Sequence, residues 1–327
     1  MTVTTKQDSI PLQNSTGFSG RVGSGIVEPF MQSCVLNAPG KINLYLEITG
    51  DRPDGFHSVV MVLQSVELSD RVSLTLQRGG ITLSCDHPEV PTDSSNLACK
   101  AAALLKQRSG HDGGVDIIIE KRIPVGAGMA GGSTDAAAVL VGLNQLWNLG
   151  LTELELQELA AELGSDIPFC VRGGTMLAIG RGEQLSPLPD LQSVAVLLGK
   201  HCDLSVSTAW AYKNYTEQHA GQRGPISPLL SAIAHQDIDE IAKSLYNDLE
   251  SVILPVHTKV NDLKTTIGAV EGSIGGMMSG SGPTVFGLFK STDAAESARQ
   301  MLISQHPEID FWVTATSSAG ISLSSVE

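Results

Sequence analysis

The sequence predicts an α+β fold in two domains, and three observations lead to this prediction. Helices and many short strands alternate irregularly along the chain, which is more typical of α+β domains than of a doubly wound sheet. The chain has 327 residues, a length that corresponds to about two domains with a substantial core. A glycine-rich turn joins a strand to a helix in the first half, and a second glycine-rich segment precedes a strand near the carboxyl end.

Changes in composition predict where the domains begin and end. Residues 1–32 are rich in Thr, Ser, Gly and Gln without sustained periodicity, which indicates a flexible N-terminal extension. The first domain is expected over residues 33–190. The second domain is expected over residues 191–327, from the next apolar strand onward.

Composition and charge limit the partners. The chain is 42% hydrophobic and 17% charged, as is ordinary for a soluble globular protein, and its apolar runs are too short to span a bilayer. The net charge of -14 argues against nucleic acid or an anionic membrane as the main partner. A small anionic substrate needs only a local positive site, and several cations lie in or beside the motifs below: Lys41, Lys121, Arg122, Arg172 and Arg181.

Five scattered cysteines form no Cys-x-x-Cys pair, so neither a disulfide scaffold nor a zinc site is expected. Cys170, between Phe169 and Val171, is best explained as a small buried hydrophobic residue. This cysteine usage fits a reducing, cytoplasmic location. An acidic surface with no evident large apolar stripe is compatible with a monomer or a homodimer.

The first predicted strand carries two polar residues on one face. Ile42, Leu44 and Ile48 belong to an alternating pattern that predicts a half-buried strand, so Lys41 and Asn43 share a face. A solvated strand lysine is the commoner outcome for such a pattern and stays open here.

A strong turn follows the first strand. Pro53, Asp54 and Gly55 favour a turn that presents Phe56 and His57 side by side. An aromatic face beside an imidazole could hold a nucleobase. A hairpin turn followed by one buried ring and one incidental histidine explains the same residues.

The glycine-rich turn in the first half resembles a phosphate cradle. A helix over 96–108 and a strand over 115–120 precede it, and a helix over 133–147 follows it. Free N–H groups in the first turn of that helix favour anions, and glycines let the backbone approach them closely. A Walker A loop is excluded by its sequence requirement, and a dinucleotide fingerprint is disfavoured because another helix follows. Glycines that serve only a tight turn remain the structural alternative.

A capping box at Thr152 and Glu155 predicts the next helix, with Leu154, Leu159 and Leu163 facing inward. Asp166 follows it, just before Ile167 and Pro168, where it could simply be the N-cap of a short helix. The remaining predicted elements are a hairpin around 175–182, a strand over 194–198, a helical region over 229–267 interrupted at Pro255, a glycine-rich loop over 275–284, a strand over 285–289, a helix over 293–302 and a strand over 311–316.

Three segments together resemble the GHMP small-molecule kinases: Ala38–Asn43, Pro124–Ala137 and Met278–Thr284. The resemblance extends over about residues 34–320. It implies an N-terminal domain of the ribosomal protein S5 domain 2 type, a ferredoxin-like C-terminal domain, and an active site between them.

The resemblance also implies ATP and Mg²⁺ as cofactors. Asp166 is expected to act as the catalytic base and Lys41 to pair with it, which keeps the carboxylate ionised and offsets charge on the phosphoryl group. Ser133 is the expected protein contact to Mg²⁺. The residues expected to hold the ATP phosphates are Pro124, Gly126, Ala127, Gly128, Met129, Ala130, Gly131, Gly132, Ser133 and Thr134.

Segments 52–57 and 163–168 are similar to the branch of this family that phosphorylates the 2-hydroxyl of 4-diphosphocytidyl-2-C-methyl-D-erythritol, in the methylerythritol phosphate route to isoprenoid precursors. This implies that Phe56, where the family usually has Tyr, stacks on the cytosine and that His57 hydrogen-bonds its edge. The other residues expected to contact the substrate are Asn43, Tyr212, Gly280 and Gly282. Two alternatives remain: a family member acting on homoserine, mevalonate or a sugar, and a catalytically silent relative that serves as a small-molecule sensor.

Overall fold

The computed structural model describes residues 32–216 and 224–324, and these form twelve strands and ten helices. The predicted extension lies, apart from Gln32, outside the described residues. The strands are β1 Ser33–Asp51, β2 His57–Gln77, β3 Ile81–Cys85, β4 Gly114–Glu120, β5 Thr175–Gly180, β6 Gln184–Pro187, β7 Ala195–His201, β8 Tyr246–Asn247, β9 Ser273–Met278, β10 Val285–Phe289, β11 Ile309–Ser317 and β12 Ser322–Leu323. The helices are α1 Leu97–Ser109, α2 Gly131–Leu146, α3 Glu153–Leu163, α4 Ile167–Arg172, α5 Thr208–Asn214, α6 Ser227–His235, α7 Ile238–Lys243, α8 Glu250–Val256, α9 Thr258–Ala269 and α10 Thr292–Gln305.

The strands form one sheet around the long antiparallel pair β1 and β2. Its main path runs β12-β1-β2-β11-β7-β10-β9, while β4 and β5 also pair with β2 along its length. Strand β11 pairs with both β2 and β7 and so connects the two halves of the sheet. The α+β fold class is therefore confirmed.

Strand β1 is buried on both faces, so the prediction of a half-buried strand is wrong. Leu36 and Leu46 belong to one hydrophobic core, whereas Ile42 and Leu44 belong to a second core on the other side. A shift of register between Asn43 and Tyr45 helps to distribute the side chains between the two cores. The chain covers both faces of this strand, which a periodic pattern in one segment cannot reveal.

Helix α2 lies unusually close to the sheet. A Cβ atom added at Gly142 would be 2.5 Å from Leu74 Cδ1 and 2.8 Å from Leu36 Cδ1. Only a residue without a side chain permits this approach at the present position of the helix. The C-terminal half of α2 is thus packed closely against β1 and β2.

Three local predictions need correction. The inward stripe on α3 is wrong at Leu154, which is 64% exposed, because Leu156 and Ala160 face the core instead. The helical region over 229–267 is four helices and the short strand β8, and Pro255 lies within α8 rather than at a break. The glycine-rich loop begins only after Met278, since β9 pairs with β10.

The described residues, 32–216 and 224–324, belong to one compact unit. The domain division at 190/191 stays a prediction. Among the described residues, none of the helices combines the length and hydrophobicity that crossing a membrane would require.

Candidate active site

The glycine-rich turn between β4 and α2 presents free backbone groups at a helix start. Gly126, Gly128 and Ala130 adopt positive φ values of 61°, 74° and 60°. Ala130 is the N-cap of α2, and no side chain caps this helix. The N–H groups of the first turn therefore lack the side-chain acceptor that helices commonly supply, and they are suited to bind an anion.

This turn borders a cleft of about 1130 Å³. Most of the residues predicted to hold phosphates line the cleft: Pro124, Gly126, Ala127, Gly128, Ala130, Gly131, Gly132 and Ser133. Met129 and Thr134 do not line it, and both are buried. In this structure both side chains pack in the interior instead of facing the cleft.

The third of the three family-like segments, Met278–Thr284, is glycine-rich and packs directly on the turn. The Ser279 hydroxyl donates to the Gly128 carbonyl at 3.0 Å, and a Cβ at Gly128 would lie 2.2 Å from the Ser279 carbonyl oxygen. Gly280, with φ of 56°, lies against β1, because its added Cβ would be 3.1 Å from Lys41 Nζ. Glycine at positions 128 and 280 thus lets the glycine-rich turn, the segment 278–284 and strand β1 meet at one point.

Asn247 holds the third segment in place, and the sequence reasoning missed it. Its buried side-chain amide donates to the Met278 carbonyl at 2.9 Å and to the Gly280 carbonyl at 2.8 Å. The only signal in the sequence was that three of the four residues at 247–250 are polar, within the predicted helical region. An asparagine that binds backbone carbonyls about 30 residues further along the chain belongs to no sequence motif that would reveal it.

Lys41 and Asn43 lie side by side in the cleft, as their shared strand face predicted. Lys41 is 4% exposed, which excludes the solvated strand lysine, and its ammonium donates to Asn43 Oδ1 at 2.5 Å. Asp166 lines the same cleft. Among the described residues Lys41 is hydrogen-bonded to Asn43 and forms no ion pair with Asp166, so the predicted pairing of Lys41 with Asp166 stays a prediction.

Asp166 occupies the N-cap position of α4 without acting as a cap. Its side chain makes no capping hydrogen bond, and Pro168 stands in the first turn of the helix. The carboxylate is thereby left available to the cleft. Behind it, Cys170 is buried as predicted, and burial together with the negative charge of Asp166 raises the pKa of the Cys170 thiol.

An aromatic group lies at another part of the cleft lining. Phe56 is 51% exposed, and the guanidinium carbon of Arg181 lies 5.1 Å from its ring centroid. The His57 and Tyr212 rings are 5.5 Å apart, so Tyr212 neighbours His57. His57 Nε2 is 3.3 Å from Oδ1 of the exposed Asp51 side chain. Burial raises the pKa of the Tyr212 hydroxyl, which keeps it protonated.

A buried charge cluster lies beside the start of α2, and sequence reasoning did not find it. The Lys121 ammonium donates to Asp70 Oδ2 and, at 2.8 Å, to Asp135 Oδ2. Asp70 Oδ1 accepts the backbone N–H groups of Arg122 and Ile123 at 2.6 and 2.8 Å. Burial raises the pKa of Asp135, although Lys121 acts in the opposite direction. The cluster fixes the strand end that leads into the glycine-rich turn.

We expect Asp70→Ala to lower the free energy of unfolding by about 3–5 kcal/mol, as is typical when one partner of a buried ion pair is removed. The change leaves the buried Lys121 ammonium with one carboxylate and deprives two backbone N–H groups of their acceptor. Urea denaturation measures the loss. Asp239→Ala, which removes an exposed ion pair with Lys290, is the matched control and should shift the midpoint little. Equal shifts for both variants would contradict a structural role for the cluster.

A cleft that joins a phosphate cradle to a lysine and an available aspartate is the arrangement of a phosphoryl-transfer enzyme. Two family models match this chain: GHMP kinases N terminal domain at residues 96–174 and GHMP kinases C terminal at residues 229–309. The chain belongs to the GHMP kinase family.

Relatives with a more specific name match almost their whole length. Proteins named 4-diphosphocytidyl-2-C-methyl-D-erythritol kinase from Synechococcus sp. and Gloeobacter violaceus are 54% and 53% identical to it over 300 and 296 residues, covering 90% and 89% of this chain and 97% of each relative. A crystal structure of 4-(cytidine 5'-diphospho)-2C-methyl-D-erythritol kinase is 32% identical, has a TM-score of 0.72, and is matched over 86% of this chain and 98% of its own. The resemblance expected from the sequence is confirmed.

A homoserine kinase structure from Cytophaga hutchinsonii is 18% identical with a TM-score of 0.69, over 92% of this chain and 100% of its own. At this level of identity the likeness concerns the fold alone. It agrees with the family assignment and carries no information about the substrate.

Proposed function

We propose that this protein is an ATP-dependent kinase that transfers the γ-phosphoryl group to the 2-hydroxyl of 4-diphosphocytidyl-2-C-methyl-D-erythritol, in the methylerythritol phosphate route to isopentenyl diphosphate. One observation carries the proposal: a single cleft is lined by the anion-binding turn, by Lys41 and Asp166, and by an aromatic group suited to a nucleobase. The names of relatives about half identical to this chain support the substrate.

In this reaction Asp166 takes the proton of the attacking hydroxyl. The hydroxyl oxygen forms a bond to the γ-phosphorus, the bond from that phosphorus to the β-phosphate oxygen breaks, and ADP leaves. Lys41 faces the transferring group and offsets the charge that develops on its oxygens. Asn43 orients the ammonium through the 2.5 Å hydrogen bond and contributes its amide to the alcohol.

The cradle binds the ATP phosphates through the uncapped first turn of α2. Mg²⁺ fits the residues beside it, because Ser133 lines the cleft and the buried Asp135 Oδ1 has no hydrogen-bond partner among the described residues. The carboxylates of Asp70 and Asp135 share a single ammonium, that of Lys121. The described residues contain no cluster of three or more metal-binding His, Cys, Asp or Glu residues. Such a site suits Mg²⁺, which often uses one or two protein ligands together with substrate phosphates and, when bound, neutralises phosphate charge.

Phe56 and His57 form the cytosine site. The exposed Phe56 ring offers a face for stacking, and the neighbouring imidazole of His57 can hydrogen-bond the edge of the base. Tyr212 completes the site next to His57. Its helix α5 is tied to the third glycine-rich segment by a 2.8 Å hydrogen bond between the Thr208 and Ser281 hydroxyls.

We expect Phe56→Ala to raise KM for the cytidyl substrate by about 5- to 150-fold, since base–aromatic stacking is worth about 1–3 kcal/mol. KM for ATP should change little. Steady-state kinetics with each substrate varied in turn measures both constants. Phe56→Tyr keeps the ring face and is the matched control, expected near the parent value. An equal rise in both KM values would refute the cytosine site.

The activity is tested by measuring ATP consumption with Mg²⁺ and 4-diphosphocytidyl-2-C-methyl-D-erythritol, in parallel with mevalonate, homoserine and galactose. Turnover with the cytidyl substrate alone supports the proposal. Turnover with another alcohol would keep the kinase class and discard the cytosine site. No turnover with any of them would favour the silent sensor.

We also infer a cytoplasmic location, supported by five cysteines without a disulfide among them. The choice between monomer and homodimer, and the expectation that nucleic acid is not a partner, remain predictions. The first is measured by light scattering of the purified protein, the second by a mobility-shift assay.

A further inference from the structure

The turn between β5 and β6 adjoins both Phe56 and the segment that precedes Asp166. A Cβ added at Gly182 would be 2.6 Å from Met61 Cε and 3.8 Å from Ser165 Cβ, so the turn packs beside the residue that precedes Asp166. From the same turn, the Arg181 guanidinium carbon reaches to 5.1 Å from the Phe56 ring centroid. Arg181 thus stands near both the aromatic group and the segment that carries the base.

Arg181 differs from the two buried lysines that line the cleft, Lys41 and Lys121. The Lys41 ammonium is hydrogen-bonded to Asn43, and Lys121 is held between two buried aspartates. Arg181 is half-buried, with 29% of its side chain exposed, and forms a long ion pair in which Glu183 Oε2 is 3.9 Å from Nε. That distance is too long for a hydrogen bond, and the described residues provide no other hydrogen-bond acceptor for this guanidinium. Its donors are therefore available to a ligand.

The chemistry of the proposed substrate places an anion at this point. Cytosine at Phe56 and the reacting hydroxyl at Asp166 are the two ends of one molecule, and a diphosphate links them. A diphosphate in a partly buried cleft needs a cation with several donors, and a guanidinium offers planar, bidentate hydrogen bonds to phosphate oxygens. The contact of the Arg181 guanidinium with the Phe56 ring already restricts the arginine side chain, so less conformational entropy is lost when a ligand binds.

We propose that Arg181 binds the diphosphate linker of the substrate and so selects a nucleoside diphosphate-linked alcohol over a free alcohol. This inference rests on the proposed function and deepens it. Arg181 acts on binding and on the placement of the hydroxyl, whereas Lys41 and Asp166 act on the transferred phosphoryl group.

The test compares two probes, cytidine and cytidine 5′-diphosphate, by isothermal titration against the full-length protein. For the parent protein, the diphosphate should bind more tightly than the nucleoside. Arg181→Gln should weaken diphosphate binding by about 10- to 100-fold, which corresponds to hydrogen bonds to a charged group, and change cytidine binding less than about 3-fold. Arg181→Lys keeps the charge without the planar fork and should recover only part of the loss. Lys213→Gln, at an exposed lysine on the cleft lining, is the matched control and should bind both probes as the parent does.

Kinetics provides the second readout. Arg181→Gln should raise KM for the cytidyl substrate with KM for ATP unchanged, and added salt should reduce the difference from the parent protein. Equal weakening of both probes would overturn the inference, since Arg181 would then act only on the aromatic group. Weaker binding of the diphosphate by Lys213→Gln, with unchanged binding by Arg181→Gln, would overturn the inference as well. If the parent protein turns over the cytidyl substrate and Arg181→Gln behaves like it, only this inference fails. If the parent neither binds the probes nor turns over that substrate, the proposed function itself fails.

Discussion

Asp166→Asn should lower kcat by about 10²- to 10⁴-fold, the usual contribution of a positioned general base. The amide has nearly the shape of the carboxylate but cannot accept the proton of the attacking hydroxyl. Because Asp166 makes no capping bond to α4, the exchange should leave the fold intact. Rapid-quench or steady-state kinetics measures the loss, and titration calorimetry should show ATP and substrate bound nearly as before.

Asp203→Asn is the matched control for this variant. Asp203 is an exposed aspartate whose partner is Lys259, and it does not line the cleft. Its exchange should leave kcat unchanged. Full activity of Asp166→Asn would remove the base from the mechanism, whereas lost substrate binding at intact kcat would turn it into a binding residue.

Lys41→Met should lower kcat by about 10²- to 10³-fold, the range found when one donor to a developing negative charge is removed. Methionine fills much of the buried volume but supplies no charge, and Asn43 Oδ1 loses its donor. Because the proposed site of the ATP phosphates is the uncapped first turn of α2, KM for ATP should rise much less than kcat falls.

Lys213→Met controls for the loss of a positive charge from the cleft. Lys213 lines the cleft from α5 and is exposed, so its exchange should leave kcat close to the parent value. If Lys41→Met changed KM for ATP alone, Lys41 would belong to nucleotide binding and not to phosphoryl transfer. A thermal melt checks that each variant remains folded.

Local signals in the sequence predicted the elements that carry the site. The capping box predicted α3, and the structure shows it complete, with the Thr152 side chain and Glu155 reciprocally bonded. The glycine-rich turn before α2 was predicted from residues adjacent in the chain. These succeed because capping and positive φ values depend on neighbouring residues.

Predictions that depended on distant contacts were less secure. Leu154 was expected to face inward, but the core lies on the side of Leu156 and Ala160. Asp166 was correctly placed at a helix N-cap, yet only the structure shows that its side chain leaves the helix uncapped. The periodicity of apolar residues shows which side chains share one face of a helix. The element that packs against the helix decides which face is buried.

The sequence by itself determined the α+β class and the family, and it named the residues proposed to carry the chemistry, because these depend on local patterns and on three recognisable segments. The tertiary structure alone decided how they meet: Gly128 under the Ser279 carbonyl, Gly280 against Lys41, and Asn247 holding the loop between them. It also revealed the buried cluster around Lys121 and the place of Arg181 beside Phe56. Each of these contacts joins residues far apart in the chain, and such contacts are fixed by how helices and strands pack, which no single segment encodes.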